Sequence, residues 1–288
     1  MKLKMAYNYY IYGFKHKYME INKKNSKDLK IYIETLNYFR YSDNTVKIYS
    51  HYLIEFLNKI DKYSSHLVSN DIESYLKNYV FTSNSQHNQV INAIKFYYDK
   101  VLKKKYAKID FSRPRKEKKL PKVIDSEILK RKILSITNLK HKALLSLTYS
   151  CGLRVSEVIN LKIEDIDSER MLISIKQAKG RKDRFVPLSK NLLEILRLYY
   201  RKFKPQIYLF NGQFGIKYSS SSCNKLVKKY ISKDAYMHLL RHSSFTYLLE
   251  SGTDLRVIQS IAGHNSSKTT EIYTHISKNL LNKTLMPI

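Results

Sequence analysis

Residues 42–60 (SDNTVKIYSHYLIEFLNKI) carry the pattern that decides the fold of the first half of the chain. Ser42-Asp43-Asn44 has the composition of a helix N-cap, and the apolar positions after it recur at the spacing of one helical face. Those positions are Val46, Tyr49, Leu53, Phe56, Leu57 and Ile60. The stretch therefore predicts a helix with one buried stripe, which needs partner helices to cover it.

The flanking sequence supplies such partners on both sides. A helical pattern begins at Ser26, a short helix is predicted near 70–80, and a longer one over 86–103. Their inward positions are Leu29, Ile33, Leu36 and Phe39, then Ile72, Tyr75, Leu76 and Tyr79, then Val90, Ile94, Tyr97 and Val101. Four helices with short polar connections predict a compact bundle over 26–107. Residues 1–25 are basic and aromatic without a clear period, and form an extension of unassigned role.

Residues 122–288 predict a second domain that is mostly helical, with one β interruption. Met171–Lys176 (MLISIK) and Arg184–Leu188 (RFVPL) flank a turn at 178–181 and predict an antiparallel hairpin. Residues 108–121 hold two of the five prolines, are densely basic, and are expected to form a linker. The predicted fold class is mainly α, with an N-terminal helical bundle and a C-terminal, mostly helical domain that contains a small antiparallel hairpin or sheet.

The charge balance points to a polyanionic partner. The 288 residues include 53 Lys and Arg against 24 Asp and Glu, a net charge of +29. Nucleic acid is the leading partner, because phosphate neutralisation releases counterions. General lysine enrichment of the surface is the alternative reading. In the linker we expect Arg113, Arg115, Lys116, Lys118 and Lys119 to contact phosphate, and in the hairpin turn Arg181 and Lys182. A solvated tether without contacts is the alternative for the linker.

Several protein classes are excluded by composition. With 43% hydrophobic residues the chain can bury real cores, which excludes a fully disordered protein. Cys151 and Cys223 have neither disulfide-scaffold nor zinc spacing, so a reducing, cytoplasmic location is expected. No apolar run is long enough to cross a bilayer, and no membrane partner is expected. The sequence also contains no carboxylate cluster for two Mg²⁺ ions and no phosphate-binding GxxxxGK loop, so no metal or cofactor is expected.

Glycine is scarce, and three of the seven glycines lie beside cationic side chains in polar turns. Gly152 precedes Arg154, Gly180 follows Lys179, and Gly263 precedes His264. In 149–157 (YSCGLRVSE) one helix is expected to end at Gly152 and another to begin near Ser156, with Glu157 close enough to orient Arg154. Alternatively, Arg154 and Glu157 form a purely structural ion pair. For His264 the alternative is a residue that only caps a helix.

Three further residues complete the candidate set. His238 and Arg241 lie three residues apart on one helical face, a spacing that is weak evidence alone because many such pairs are surface decoration. Tyr273 lies in TTEIYTH, and as one of 25 tyrosines it would by itself be expected to be a core residue.

Taken together, these segments resemble the tyrosine recombinase (phage integrase) family, most closely its Xer branch. GLRVSE, KGRKDRFVPL, HLLRHS, GTDLRVIQSIAGH and TTEIYTH occur in the order of the family and with nearly its spacing, over about 122–277. The helical first half resembles the SAM-like, core-binding domain that clamps DNA. IAGH stands where LLGH is commoner, and the extension before Ser26 is longer than in the simplest Xer pattern.

The resemblance implies a role for each candidate. Tyr273 would be the nucleophile, Arg154 and Arg241 the phosphate clamp, and Lys179 the general acid. His238 would accept or steer the phenolic proton, and His264 would bond a phosphate oxygen. The expected function is site-specific DNA recombination through a 3′-phosphotyrosine link, without metal or ATP.

The expected partners are a double-stranded recombination site and further copies of the chain, forming a dimer or tetramer on DNA. Leu280, Leu281 and Leu285 of the tail 277–288 form an apolar stripe for that assembly, or fold back on their own domain. A Xer-like role in resolving chromosome or plasmid dimers is favoured over an integrase or excisionase of a mobile element. An inactive DNA-binding regulator, a type IB topoisomerase-like relaxing enzyme and an RNA-binding protein are lesser alternatives. The sequence leaves open the target site and the need for a partner recombinase or accessory protein.

Overall fold

The computed structural model describes residues 25–104, 113, 121–176, 183–212, 217–264, 266 and 268–274. The fold divides into two compact units, with the division between Lys118 and Lys119. The predicted boundaries of the extension and of the linker fall mostly on residues outside the described ranges and stay predictions. In the part of the chain that the structure describes, no helix is both long and apolar enough to cross a membrane.

In its described residues the N-terminal unit is a bundle of four α-helices, as predicted. They are α1 (Ser26–Tyr38), α2 (Asp43–Ile60), α3 (Ser69–Lys77) and α4 (Asn84–Phe96), with a 3₁₀ turn at Ser64–His66. The Ser42 hydroxyl accepts a hydrogen bond from the Thr45 backbone N–H and caps α2. The helix predicted over 86–103 instead ends at Phe96 and continues as one turn of π-helix, Tyr97–Val101.

One predicted inward face is partly wrong. Leu29, Tyr32 and Leu36 are the buried residues of α1, whereas Phe39 is 50% exposed. Phe39 is the C-cap residue beyond the last turn, where the chain leaves the helical path. Tyr32 was not counted among the apolar residues, yet its ring is fully buried and its hydroxyl donates to the Ala93 carbonyl over 3.0 Å. A tyrosine can serve as a core residue when its hydroxyl finds a partner.

The C-terminal unit contains eight α-helices in the described residues and one small sheet. The helices are α5 (Ser126–Leu134), α6 (Leu139–Cys151), α7 (Val155–Asn160), α8 (Lys190–Phe203), α9 (Ser220–Tyr230), α10 (Met237–Glu250), α11 (Leu255–Ala262) and α12 (Lys268–Glu271). The helix α6 is buried nearly all round and packs against α8 and α10 at the centre of the unit. The mainly α fold class is confirmed.

The predicted hairpin is confirmed, and one short strand joins it. Strand β1 (Ile166–Asp167) pairs antiparallel with β2 (Leu172–Ile175), and β2 pairs antiparallel with β3 (Arg184–Pro187). Ile173 lies opposite Val186 in the register, and both side chains enter the core. The turn at 178–181 lies outside the described residues. β1 has two residues, too few to show an alternating pattern in the sequence.

Candidate active site

Arg154 lies at the junction of α6 and α7, where a glycine redirects the chain. Gly152 adopts a left-handed conformation (φ 57°), and its N–H caps α6 by donating to the Thr148 carbonyl. A Cβ at this position would lie 2.6 Å from two ring carbons of Phe245, so both the turn and the packing require glycine. Arg154 is then the N-cap residue of α7.

Glu157 holds Arg154 in place, as the spacing predicted. Its Oε1 accepts from Arg154 Nη1 over 2.7 Å, and its Oε2 accepts from the Arg154 backbone N–H over 2.8 Å. Burial alone would raise the pKa of Glu157, but hydrogen bonds and charge from Arg184 and Arg154 outweigh it and lower the pKa to about 2. The Arg154 Nη2 also donates to the Gly263 carbonyl over 3.2 Å. The guanidinium is therefore fixed between α7 and the end of α11.

Arg184 is a member of this cluster that the sequence analysis did not single out. Its Nη1 and Nη2 donate to the two Glu157 carboxylate oxygens over 2.9 and 2.8 Å, and its Nε donates to the Ile261 carbonyl over 2.7 Å. A signal was present, because Arg184 and Val186 share one face of a strand whose alternate residues are buried. A charged residue at an inward position of such a strand needs a buried partner.

Arg241 is fully buried on α10, although its sequence spacing was also typical of a surface pair. Its Nη1 donates to the Gly152 carbonyl over 2.6 Å and its Nη2 to the Ala262 carbonyl over 2.7 Å, while the guanidinium lies 4.7 Å above the Phe245 ring centroid. Among the described residues, its Nε–H has no hydrogen-bond partner. Burial, followed by the charge of Arg154, lowers the pKa of Arg241 to about 10, so the side chain stays cationic at neutral pH.

His264 connects Arg241 to the segment that carries Tyr273. It follows the left-handed cap residue Gly263 (φ 59°) at the end of α11. Its Nε2 lies 3.1 Å from Arg241 Nη2, and its Nδ1 lies 3.0 Å from Thr270 Oγ1. Because the guanidinium can only donate, Nε2 is the acceptor and Nδ1 carries the ring hydrogen. Burial and the charges of Arg241 and Arg154 lower the pKa of His264 to about 4.

Tyr273 is buried, with its ring 5.6 Å from that of Phe245. The backbone N–H of Tyr273 donates to the carbonyl of Thr270, whose hydroxyl contacts His264. Burial raises the pKa of Tyr273 to about 12, although the charges of Arg241 and Arg154 act in the opposite direction. The positive charges of the two arginines are present, but the effect of desolvation on the pKa of Tyr273 outweighs theirs.

The imidazole that touches the phenol of Tyr273 belongs to His242. Its Nδ1 lies 3.2 Å from Tyr273 Oη. His238, one helical turn earlier, is exposed, and its ring meets that of His242 at 4.6 Å in an edge-to-face arrangement. His242 follows Arg241 directly in HLLRHS, and its i+4 spacing from His238 was a signal that it shares that helical face.

The structure thus brings together five of the six expected catalytic residues and Glu157. The sixth, Lys179, lies outside the described residues. The same is true of Arg115, Lys116, Lys118, Lys119, Arg181, Lys182 and the tail leucines Leu280, Leu281 and Leu285. Arg113 is described: it is exposed and donates to the side-chain oxygens of Asn88 and Asn92 on α4, over 2.6 and 2.8 Å.

The cluster has the charge expected of an anion-binding site. Three guanidinium groups face a single carboxylate, since Arg241 Nη1 also lies 3.9 Å from Glu157 Oε2. Arg184, Glu157 and Arg241 are almost fully buried, and a guanidinium in such surroundings binds phosphate or carboxylate oxygens strongly. Beside this cationic cluster lies one protonated phenol with an imidazole at its oxygen.

Comparisons with known proteins match most of the chain to one family. The model of the "Phage integrase family" matches residues 122–279, and that of the "Phage integrase, N-terminal SAM-like domain" matches residues 29–108. The chain is 35% identical over 250 residues to the tyrosine recombinase XerA of Pyrococcus horikoshii, a match that covers 82% of this chain and 84% of the relative.

Two solved structures show the likeness of fold. The XerH site-specific recombinase bound to palindromic difH substrate, a post-cleavage complex, superposes with a TM-score of 0.70 at 23% identity, covering 90% of this chain and 83% of that one. The Tn1549 transposon integrase in complex with transposon right end DNA superposes with a TM-score of 0.62 at 17% identity, covering 88% and 98%.

Proposed function

The chain belongs to the phage integrase family and is a tyrosine recombinase, and from that premise we propose that Tyr273 is the nucleophile with which it cuts DNA. One observation carries the proposal. Residues from four separate parts of the C-terminal unit are joined, partly through backbone groups, in one network that includes a buried phenol. They are Arg154 before α7, Arg241 on α10, His264 after α11 and Tyr273 after α12.

The two arginines are proposed to bind the phosphate that is cut. A phosphodiester repels nucleophiles, and its pentavalent transition state carries extra charge on the non-bridging oxygens. Guanidinium groups that are already fixed by Glu157, Gly152 and Gly263 stabilise that charge without reorganising. The unpartnered Nε–H of Arg241 is a donor that a phosphate oxygen would satisfy.

In the proposed step the Tyr273 oxygen loses its proton and forms a bond to phosphorus, while the bond from phosphorus to the 5′ oxygen breaks. The proton returned to the 5′ oxygen would come from Lys179. His264 would hold a non-bridging oxygen once its Nε2, which accepts from Arg241 in this structure, carries a hydrogen. The product is a 3′-phosphotyrosine ester that keeps the energy of the phosphodiester, so the 5′ hydroxyl of another strand can reverse the step without ATP. His238 would complete the pocket.

DNA contact outside the pocket is proposed for the basic residues of the linker and of the hairpin turn. Arg113 supports this, because two asparagines of α4 hold its guanidinium at an exposed position. Arg115, Lys116, Lys118 and Lys119 would extend that contact along a phosphate backbone, and Arg181 and Lys182 would do so from the hairpin. Assembly into a dimer or tetramer on DNA would use the apolar stripe of the tail.

For the biological role we favour Xer-like resolution of chromosome or plasmid dimers. The similarity to XerA, which extends over most of both chains, supports it. Integration or excision of a mobile element is the second candidate, because the Tn1549 transposon integrase shares the fold. Both roles use the same chemistry and differ in the DNA site.

The nucleophile is tested by covalent capture. Purified protein is incubated with fragmented genomic DNA, adducts are isolated under denaturing conditions, and their positions are sequenced. The wild type is expected to give adducts that Tyr273→Phe abolishes, whereas Tyr247→Phe, a matched change at an exposed tyrosine of α10, retains them. Adducts that persist in Tyr273→Phe would overturn the assignment, and site-specific binding without adducts would favour an inactive regulator.

The same map tests the role. Adducts at one chromosomal locus in strains with and without mobile elements are expected for dimer resolution. Adducts confined to the ends of an element would instead establish the integrase alternative. Relaxation of supercoiled plasmids that lack the mapped site would indicate a topoisomerase-like activity.

A further inference from the structure

The hydroxyl of Tyr273 has a histidine partner that the family resemblance did not assign. His242 Nδ1 lies 3.2 Å from Tyr273 Oη, and the two rings are 5.7 Å apart at 53°. Both partners of this contact are held in place. His242 follows the fully buried Arg241 on α10, and the phenol ring of Tyr273 packs against Phe245. His238, to which the resemblance assigned the phenolic proton, makes no hydrogen bond to Tyr273 in the described part of the chain.

The hydrogen bond has one direction. Burial, followed by the charges of His238 and Arg241, lowers the pKa of His242 to about 4, so its ring is neutral at pH 7. The phenol is protonated, because burial raises the pKa of Tyr273 to about 12. The phenol O–H therefore donates to Nδ1, and Nε2 carries the ring hydrogen of His242. A lone pair of a neutral base is aimed at the proton that must leave.

We propose that His242 is a catalytic residue that orients the Tyr273 hydroxyl and accepts its proton during strand cleavage. The proposal rests on the proposed function, in which Tyr273 attacks phosphorus. Transfer is concerted with attack, because the phenol becomes acidic only as its oxygen bonds to phosphorus. The anionic phosphate near His242 then favours the imidazolium that forms.

The step balances. The Oη–H bond of Tyr273 breaks and its proton moves to His242 Nδ1. The electron pair of that bond forms the Oη–P bond, the P–O5′ bond breaks, and the 5′ oxygen takes a proton from the general acid proposed above. In religation the imidazolium returns the proton to the departing phenolate. No oxidant, reductant or metal takes part.

The test is single-turnover cleavage of a nicked suicide duplex that carries the mapped adduct site. A general base contributes about 10²–10⁴-fold, so His242→Ala is expected to lower the cleavage rate at least about 100-fold. His242→Asn is the sharper variant, because its amide oxygen replaces Nδ1 as acceptor of the phenolic hydrogen bond but takes no proton at neutral pH. It is expected to be similarly slow while binding the duplex with wild-type affinity.

A substrate with sulfur in place of the bridging 5′ oxygen separates the two proton transfers. A thiolate leaves without protonation, so Lys179→Ala, the matched control for the leaving group, is expected to regain cleavage on this substrate. The His242 variants are expected to remain slow, because the phenol must still lose its proton.

Two results would overturn the inference while leaving the proposed function intact. One is cleavage by His242→Asn within threefold of wild type, and the other is rescue of both His242 variants by the 5′ sulfur substrate. If the wild-type protein forms no covalent adduct, or if its adducts persist in Tyr273→Phe, both this inference and the proposed function are overturned.

Discussion

The two units of the chain are stabilised in different ways. The core of the N-terminal unit is apolar and aromatic, and the buried polar residues in its described part are the neutral Asn25 and Ser50. The C-terminal unit buries Glu157, Asp165, Arg184 and Arg241 among its apolar residues. Burying ions costs free energy even when they are paired, and an apolar cluster of equal volume is often more stable. Among the described residues, fully buried charge lies only in the C-terminal unit. Three of the four charged residues belong to the cluster beside the proposed nucleophile, where we propose that they serve binding and chemistry.

Glycine forms the two left-handed turns beside the arginine cluster, whereas other left-handed helix ends, such as Lys204 after α8, use ordinary residues. In the N-terminal unit, left-handed positions at helix ends are occupied by ordinary residues, including Arg40 and Asp61. In the C-terminal unit, Gly152 and Gly263 end helices beside the arginine cluster, and side chains crowd both of them. The two glycine turns around the cluster are therefore closely packed.

Glu157→Gln is expected to have the largest effect on this comparison. Removing the shared carboxylate charge leaves three guanidinium groups without their counter-ion, and breaking a buried ion pair costs about 3–5 kcal/mol. Hydrogen exchange of the full chain, followed by mass spectrometry, would report the loss in α6, α7 and β3. The matched control is Glu55→Gln in the half-buried bond to Tyr79 of the N-terminal unit, expected to cost about 1 kcal/mol. Equal losses would contradict the proposed difference between the units.

Acidification is expected to act next most strongly, and mainly on the C-terminal unit. The folded-state pKa values of His242 and His264 are about 4, below the ordinary histidine value of 6.5. Between these values the unfolded chain binds more protons than the folded one. Stability is therefore complete above about pH 6.5 and is lost as the pH falls toward 4, by at least about 2 kcal/mol.

Hydrogen exchange at several pH values, corrected for intrinsic exchange rates, checks this expectation. Below about pH 4.5 the lowered pKa of Glu157 extends the loss toward pH 2. The double variant His242→Gln/His264→Gln serves as the control and should remove most of the dependence between pH 6.5 and 4. A stability that falls more steeply with decreasing pH in the N-terminal unit than in the C-terminal unit would contradict this expectation.

Gly152→Ala is expected to have the smallest effect of the three, about 1–3 kcal/mol in the C-terminal unit. The added Cβ would meet the Phe245 ring at 2.6 Å, and the φ of 57° is strained for alanine. Gly252→Ala isolates the backbone effect, because its φ of 86° is also positive but no atom lies within 4 Å of the added Cβ. Thermal unfolding followed by circular dichroism measures the difference, and identical melting temperatures would show that the packing against Phe245 is unimportant.

Local sequence patterns predicted the features that depend on neighbouring residues. Ser42 caps α2, Gly152 ends α6, and Glu157 grips Arg154, because each depends on residues within a turn or two of one another. The prediction that Phe39 faces inward was wrong, because a periodic apolar pattern does not show where its helix ends. Arg184 and His242 were missed because their partners, Glu157 and Tyr273, are 27 and 31 residues away in the sequence.

By itself the sequence determined the helical bundle, the hairpin, the strongly basic character and the ordered motifs that place the chain in its family. These follow from periodicity, turn chemistry and residue type, which are local properties. Only the tertiary structure decided that Arg241 is fully buried, that Arg184 shares Glu157 with Arg154, and that His242 meets the phenol of Tyr273. Such contacts join distant segments, and their geometry is set by how α6, α10 and α11 pack, which spacing along the chain does not encode.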